Sequence, residues 1–451
     1  MTDHTPAWYP DSTNERANED PMHPPARPSR RKFLGIAAAG VATVGGSAFA
    51  LNANSDTSSI PGVSPTGERV PESTAMTRPL VANKDVAGRT LVVVELQGGN
   101  DGLATLVPRN SGVLHDRRES VHIPDEELLD FTDEYGWNPN LASLTSHGIA
   151  ALVGLGTTNN ADGSHFEMER RWWAGKSLGS DLPSTGFLGR LCDQLMADQP
   201  VTGVALGSGP SPSLRSNNAV TVGLADPESG WFLRNDDPWF ENLRRGMSAM
   251  SSSNGPGTVS PIMSARNGLS DTLAFADVLN EIDNERIRDV YPSSDLGYTM
   301  GVAAELIKQQ AGLRVIHLSH GGFDTHSDQR GSHDYLLMEL SESMGAFLDD
   351  LGSLGHGEST LVCTTSEFGR RVRDNRGGTD HGAASMAILA GPVAAGVHGE
   401  SPSLTRLDDD NLIATVDFEE YYATIAEQWF GVPSSEVLES AAAPIQGLIS
   451  A

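Results

Sequence analysis

The sequence predicts an α/β fold: a three-layer α/β/α sandwich with a mainly parallel central sheet. Continuous apolar runs rich in β-branched residues indicate buried strands. Segments with apolar residues at helical spacing lie between those runs, and this alternation is typical of a parallel sheet covered by helices. Hydrophobic residues make up 38% of the 451 residues, which is enough for a sizeable core.

Four buried strands are expected. Each is an unbroken apolar run that ends in glycine or in a cluster of polar residues, as a strand does where it enters a turn. The expected strands are Thr90–Leu96, Ile149–Gly156, Leu313–His320 and Ser359–Thr365.

Three helices are expected between or beside these strands, over Thr272–Val290, Tyr298–Ala311 and His333–Leu351. The last is the clearest because its apolar residues fall on one face at a spacing of three and four. That face consists of Leu336, Leu337, Leu340, Met344, Phe347, Leu348 and Leu351.

Residues 1–50 resemble a twin-arginine signal peptide. The pair Arg30-Arg31 precedes a short run rich in Gly and Ala, and Ala48-Phe49-Ala50 has the small residues that a signal peptidase reads. The run is weakly hydrophobic, which argues against a stable membrane span in the mature form. We therefore expect export through the twin-arginine translocase to the periplasm, the cell surface or the extracellular medium.

The rest of the chain is expected to hold a linker and one domain. Residues 51–89 are rich in Ser, Pro and Gly, as linkers are, and residues 90–451 are expected to form a single domain. Two cysteines, Cys192 and Cys363, are too few for a disulfide scaffold or a cysteine zinc cluster. One bridge is possible, but two buried thiols are the expected state.

Charge excludes one class of partner. The chain has 31 basic and 59 acidic residues, a formal net charge of −28. A protein with this field repels nucleic acid and anionic lipid in bulk, so no nucleic-acid partner is expected. An anionic substrate would have to be drawn in locally.

Carboxylates and imidazoles recur after the predicted strands, where α/β sheets place their sites. Oxygen and imidazole ligands of this mix suit a divalent ion, with zinc expected first and manganese, iron, magnesium or calcium as alternatives. A turn or helix cap is the alternative for each cluster taken alone. The clusters contain Asp101, Ser164-His165-Phe166, Asp324-Thr325-His326, Glu367, Arg370-Arg371 and Asp380-His381.

Ser164 precedes a helical stretch. A hydroxyl at a helix N-terminus lies where backbone N–H groups and the helix dipole stabilise negative charge, which suits a nucleophile. A plain N-cap without chemistry is the alternative.

As a set, these motifs resemble an uncharacterised, twin-arginine-exported bacterial protein family of the alkaline-phosphatase-like superfamily, whose relatives include sulfatases. The resemblance covers the chain from Leu91 to about Pro433. It implies the alkaline-phosphatase-like version of the sandwich, with Ser164 as catalytic nucleophile. It also implies a metal site that contains Asp101, Asp324, His326, Glu367 and His381.

The sequence departs from the superfamily at one position. Where an Asp-His pair is usual, it reads Glu367-Phe368, and Phe368 cannot bind metal. Either a second site is weakened or filled from elsewhere, or one metal is used, or hydrolysis has been lost. The candidates for filling it are His165, His320 and Asp380.

Two functions follow from the resemblance. The first is an exported metal-dependent hydrolase of a phosphate or sulfate ester, acting on a small anionic ester or glycan-linked substrate. Arg370, or else Arg371, could clamp the oxyanion, with a structural ion pair as the alternative for these arginines. The second is a non-catalytic secreted metal- or glycan-binding protein on a hydrolase fold.

Overall fold

The computed structural model describes residues 88–158, 162–177, 179, 181–196, 201–225, 238–252 and 261–450. The expected signal peptide lies outside these residues, as does nearly all of the expected linker. No helix in the described part of the chain is long and apolar enough to span a membrane.

Fourteen strands are found in the described residues. They are β1 Thr90–Gln97, β2 Leu106–Pro108, β3 Leu129–Asp130, β4 Tyr135–Trp137, β5 Ile149–Gly156, β6 Gly203–Leu206, β7 Thr221–Leu224, β8 Val315–Gly321, β9 Thr360–Thr365, β10 Arg370–Asp374, β11 Thr379–His381, β12 Ser385–Ala390, β13 Gly396–His398 and β14 Val416–Asp417.

Ten α-helices are described, together with short 3₁₀ turns and a π-helical turn at Ile425–Trp429. The α-helices are α1 Gly102–Thr105, α2 Gly112–Arg117, α3 His165–Ala174, α4 Phe187–Leu195, α5 Pro238–Ser252, α6 Pro261–Asn280, α7 Asn284–Val290, α8 Asp295–Lys308, α9 Gln329–Leu354 and α10 Phe418–Thr424.

The described strands of the central sheet run in the order β13-β5-β12-β9-β1-β8-β6-β7, with β14 beside β5. β1 lies between β8 and β9 and is parallel to both. β12 is antiparallel to its neighbours β5 and β9. The predicted mainly parallel sheet is therefore confirmed.

A hydrophobic core lies on each face of this sheet. Val92, Val94 and Leu96 of β1 share one core with residues of α8 and α9. Leu91 and Val93, on the other face, share the second core with residues of α3, α4 and α10. This alternation follows from the two-residue period of a strand, and it confirms the predicted three-layer α/β/α arrangement.

Most predicted elements are found at or near their expected bounds, but one helix is divided. The segment expected as a helix over Thr272–Val290 is the end of α6 followed by α7. The side chain of Asp283 accepts a hydrogen bond from the backbone N–H of Arg286 and so starts a new helix. Both cysteines are buried and free, as expected.

Candidate active site

The order of the sheet brings three of the predicted polar clusters together. β9, β1 and β8 are parallel neighbours, so their carboxyl ends lie side by side at one edge of the sheet. The turn after β1 contacts both other segments: Gly98 N donates to Glu367 Oε1 at 2.7 Å, and Asn100 N donates to Ser366 Oγ at 2.8 Å. Phe323 N donates to the carbonyl of Gln97 at 3.0 Å.

Three imidazoles surround the carboxylate of Asp324 at this edge. Nε2 of His326 and Nε2 of His381 lie 3.1 Å and 3.0 Å from Asp324 Oδ1 and 2.9 Å from each other. Nε2 of His165 lies 3.5 Å from Asp324 Oδ2. The ligand atoms of His165, Asp324 and His381 all fall within 4.8 Å of one another.

The other ring nitrogen of each histidine has its own acceptor. Nδ1 of His165 lies 2.9 Å from Glu367 Oε1, and Nδ1 of His326 lies 3.2 Å from Asp380 Oδ1. Nδ1 of His381 lies 2.7 Å from the carbonyl of Gly163. An acceptor at Nδ1 favours the tautomer that carries its proton there, so all three Nε2 lone pairs are directed toward Asp324.

This donor set fits a divalent cation. Lone pairs that face each other and a carboxylate repel unless a cation lies between them. Ligands of tetrahedral zinc at about 2.0–2.2 Å are about 3.3 Å apart, which is close to the separations found here. Acceptors that hold the second nitrogen of each ligating histidine are also a regular feature of such sites. His165, Asp324, His326 and His381 are therefore the residues that would hold a metal.

Asp324 is held in its charged form. Burial opposes its ionisation, but the charge-assisted hydrogen bond from Arg370, together with the neighbouring imidazoles of His381 and His326, outweighs that effect and lowers the pKa of Asp324 to about 2. The carboxylate is therefore available as a ligand throughout the neutral range. About half of its side-chain surface, 47%, remains exposed, which leaves room for a ligand to approach.

Ser164 occupies the N-cap position of α3, as expected, and it is exposed. Its side chain makes no cap hydrogen bond, and its backbone N–H donates to Asp162 Oδ1 at 2.8 Å. Its neighbours on both sides, Gly163 and His165, contact the histidine cluster. Ser164 therefore lies between two residues that contact or belong to the cluster, and its hydroxyl is not used as a cap.

Glu367 lies on the Nδ1 side of His165, whereas Asp324 lies on its Nε2 side. Its Oε1 accepts from Gly98 N and faces His165 Nδ1, so it orients a candidate ligand. Phe368 is buried and packs its ring against His381 and His165 at centroid distances of 4.5 Å and 4.9 Å. Gly99, with φ +85°, is needed beneath it because a Cβ there would lie 2.3 Å from the ring.

Asp101 is not brought into this group. Its carboxylate is fully buried, with Arg118 Nη1 and Gln329 Nε2 both donating to Oδ2 at 2.6 Å. Its Oδ1 accepts from Leu103 N and caps α1. Burial would raise the pKa of Asp101, but Arg118 outweighs that effect and the pKa is lowered. These contacts match the turn and cap alternative, and its expected role as a ligand stays a prediction.

Arg370 is also engaged within the protein. Its guanidinium is buried and donates to the carbonyls of Gly99 at 2.8 Å, Thr379 at 2.8 Å and Phe323 at 2.9 Å, and also to that of Gly98. It pairs with Asp324 Oδ1 at 2.8 Å. These contacts match the structural alternative for this arginine. Arg371 pairs with the exposed Asp409.

The three candidates for the missing ligand position lie in different places relative to the imidazole group. His320 Nε2 lies 3.0 Å from the carbonyl of Leu336, away from the group. Asp380 contacts His326 from outside, and His165 enters the group directly. The available signal for His165 was its position beside Ser164, after the second predicted strand and at the same edge of the sheet.

The fold and the site together define an α/β protein with a histidine–aspartate cluster at the carboxyl edge of its sheet. A family profile described as "Protein of unknown function (DUF1501)" matches residues 267–438. The matched segment contains Asp324, His326, Glu367 and His381, whereas Ser164 and His165 lie outside it. No curated protein matches the chain.

Solved structures similar to this chain include a sulfatase and an alkaline phosphatase, the two classes named by the sequence resemblance. The PsFucS1 sulfatase from Pseudoalteromonas sp. is 12% identical over 80% of this chain and 73% of its own, with a TM-score of 0.35. The alkaline phosphatase from the Antarctic bacterium TAB5 is 12% identical over 68% of this chain and 94% of its own, with a TM-score of 0.30.

A third similar structure is the phosphonate monoester hydrolase of Agrobacterium radiobacter. It is 10% identical over 76% of this chain and 73% of its own, with a TM-score of 0.34. At these identities and TM-scores, the activities of the three enzymes are not carried over to this chain.

Proposed function

We propose that the chain is an exported metal-dependent hydrolase of a phosphate or sulfate ester, with Ser164 as nucleophile. The observation that supports it most is the convergence of three imidazole Nε2 atoms on Asp324 while each Nδ1 is held by an acceptor. A cation bound there would be held in part by His165, the residue that follows Ser164. Ser164 is the N-cap residue of α3, and its side chain makes no cap hydrogen bond. Zinc is the expected ion because of the three imidazole ligands.

A bound divalent cation would supply Lewis-acid polarisation of the ester and of the Ser164 hydroxyl. Ser164 Oγ forms the bond to phosphorus or sulfur while the alcohol oxygen leaves, and the hydroxyl proton ends on that alcohol. Backbone N–H groups in the first turn of α3 stabilise the negative charge that develops there. Water then cleaves the Ser164 ester and restores the hydroxyl.

The test compares wild-type protein with Ser164→Ala, and uses Ser120→Ala as the matched control. Ser120 is exposed and bonds to Asp374, outside the site. Metal content is measured first, and then turnover of phosphomonoesters, phosphodiesters and sulfate esters. We expect Ser164→Ala to lower kcat/KM by at least about 10³-fold with unchanged metal content, because the covalent step is lost. Equal turnover in both variants would contradict the nucleophile.

A non-catalytic metal- or glycan-binding protein is the second candidate, and two residues favour it. The buried Phe368 stands where the resembled superfamily has a ligand of its second metal. The guanidinium of Arg370 donates its hydrogen bonds to groups inside the protein, so it is not directed at a substrate. The same assay separates the candidates. Metal bound without turnover across the ester panel supports the binding protein, whereas turnover dependent on Ser164 supports the hydrolase.

A further inference from the structure

The position of helix α3 determines where two residues of the candidate site lie. Ser164 is its N-cap and His165 is its first residue, so any rotation or sliding of the helix moves both side chains relative to Asp324. The helix has only ten residues. A helix this short is held by tertiary contacts rather than by its own stability.

Two consecutive tryptophans tie the far end of α3 to the central sheet. Trp172 Nε1 donates to the backbone carbonyl of Glu367, just after β9, at 2.9 Å. Trp173 Nε1 donates to Oε1 of Glu95, on the neighbouring strand β1, at 2.7 Å. The helix is therefore fastened to two adjacent strands, while His165 contacts Glu367 from its other end.

Glu95 is an unusual residue for this place in the fold, because it is a carboxylate on the central strand β1, on the same face of the sheet as the core residues Leu91 and Val93. Its side chain is only 10% exposed, and its Oε2 lies 3.3 Å from His317 Nε2 and 3.2 Å from Gln97 Nε2. Burial would raise the pKa of Glu95, but the hydrogen bond and charge of His317, together with the hydrogen bonds from Trp173 and Gln97, outweigh it and the pKa is lowered. A charged acceptor makes the stronger hydrogen bond to the indole.

Trp173 is half-buried, whereas its neighbour Trp172 is buried. The space beside the two rings is about 10 Å³, at most the size of one water molecule. The bond to Glu95 therefore adds a directional constraint on the Trp173 indole that its partial packing does not supply. The free-energy cost of burying the Glu95 carboxylate is offset by its contacts with Trp173, His317 and Gln97.

We propose that Trp173 and Glu95 are positioning residues that set the place of Ser164 and His165 by fastening α3 to β1. This rests on the proposed function in that His165 is taken as a metal ligand. Neither Trp173 nor Glu95 is among the candidate ligands, so their effect on the site is indirect and runs through the helix.

The first test is Trp173→Phe, which keeps an aromatic ring and removes the N–H donor. Zn²⁺ affinity is measured by calorimetry, and hydrogen exchange of the α3 amides is measured in metal-free protein. We expect the Kd for Zn²⁺ to rise about tenfold, the lower end of what is found when partners of ligating histidines are lost, and α3 to exchange faster. Unchanged affinity and unchanged exchange would overturn the proposal.

Trp429→Phe is the matched control. Trp429 is fully buried and its Nε1 makes no hydrogen bond within the described residues, so the same substitution there removes ring volume without a bond. It should leave Zn²⁺ affinity and α3 exchange unchanged. An equal effect in both variants would mean that general packing, and not the bond to Glu95, positions the helix, and this too would overturn the proposal.

Glu95 variants test the same bond from its other side. Glu95→Gln keeps an acceptor and should retain Zn²⁺ affinity within about twofold, whereas Glu95→Leu should weaken it at least as much as Trp173→Phe, because it also removes the contacts with His317 and Gln97. The double variant Glu95→Leu with Trp173→Phe should be no worse than Glu95→Leu alone, because the bond to Trp173 is already absent there. Additive losses would contradict a shared bond.

These outcomes separate this proposal from the hydrolase itself. Weaker Zn²⁺ binding in Trp173→Phe without any ester turnover in wild type supports the positioning role and counts against hydrolysis. Turnover dependent on Ser164, with Zn²⁺ affinity and α3 exchange unaltered by Trp173→Phe, leaves the hydrolase standing and removes the positioning role.

Discussion

Asp101 and Asp324 follow adjacent strands of one sheet, yet they lie in opposite environments. Asp101 is 0% exposed and paired with the buried Arg118, while the Asp324 side chain is 47% exposed and faces three imidazoles. Asp101 is poorly placed to bind a metal, because its carboxylate is already bonded to buried partners. Asp324 is better placed, because it is half exposed and three imidazole nitrogens face it.

The difference shows that an acidic residue after a strand is an ambiguous signal. What distinguishes the two residues is whether partners inside the protein already bond both carboxylate oxygens. Arg118 and Gln329 donate to Oδ2 of Asp101, and Leu103 N donates to its Oδ1. Arg370 reaches Asp324, but it leaves the side of the carboxylate that His165 approaches through Oδ2.

The largest expected effect is on stability, through Asp101. Asp101→Asn leaves the guanidinium of Arg118 buried without its counter-charge, and losing one partner of a buried ion pair costs about 3–5 kcal/mol. Urea unfolding with excess EDTA measures the change in free energy of unfolding. Asp130→Asn, whose carboxylate is fully exposed in its pair with Arg109, is the control and should leave stability nearly unchanged. Equal losses would remove the distinction between the two regions.

For metal affinity we expect the opposite order: substitution of Asp324 should have a larger effect than substitution of Asp101. Asp324→Ala removes the carboxylate on which the three histidines converge, so we expect Zn²⁺ affinity to fall by about 100-fold or more. Its effect on urea unfolding in EDTA should be smaller than that of Asp101→Asn, because Asp324 is half exposed and Arg370 keeps four backbone carbonyl acceptors without it. The comparison fails if Asp101→Asn, under folded conditions, weakens Zn²⁺ binding as much as Asp324→Ala does.

We expect the buried His333 to make the free energy of unfolding depend on pH in the mildly acidic range. Burial lowers the pKa of His333 from 6.5 to about 4, and its Nε2 lies 2.9 Å from Asn100 Oδ1. Between these two pH values the unfolded chain binds the proton and the native protein does not. Stability therefore falls as the pH is lowered from 6.5 to 4, by at most about 1.4 kcal/mol per pH unit from this group.

His333→Gln tests that slope. The variant lacks the proton uptake, so urea unfolding of metal-free protein between pH 6.5 and pH 4 should show a shallower loss of stability than wild type. His356→Gln, at the far end of α9, is the control. A wild-type slope retained in His333→Gln would place the acid-sensitive group elsewhere.

Much of the fold could be predicted from local patterns. The apolar runs identify β1, β5, β8 and β9 because burial on both faces requires unbroken apolar sequence. The short strands β2, β3 and β4 carry no such pattern, since two or three residues cannot show a period. The break before α7 depended on one cap at Asp283, which a continuous apolar spacing conceals.

The sequence by itself determined the sandwich and the residue types available at the carboxyl edge of its sheet, because both follow from local periodicity and from where strands end. Only the tertiary structure decided which of these residues meet. It paired Asp101 with Arg118, enclosed Arg370 among backbone carbonyls, and brought His165 beside Asp324 from a distant part of the chain. Such pairings depend on strand order and helix placement. Asp101 and Arg118 are 17 positions apart and Arg370 and Gly99 are 271 apart, and contacts of this kind leave no periodic trace in the sequence.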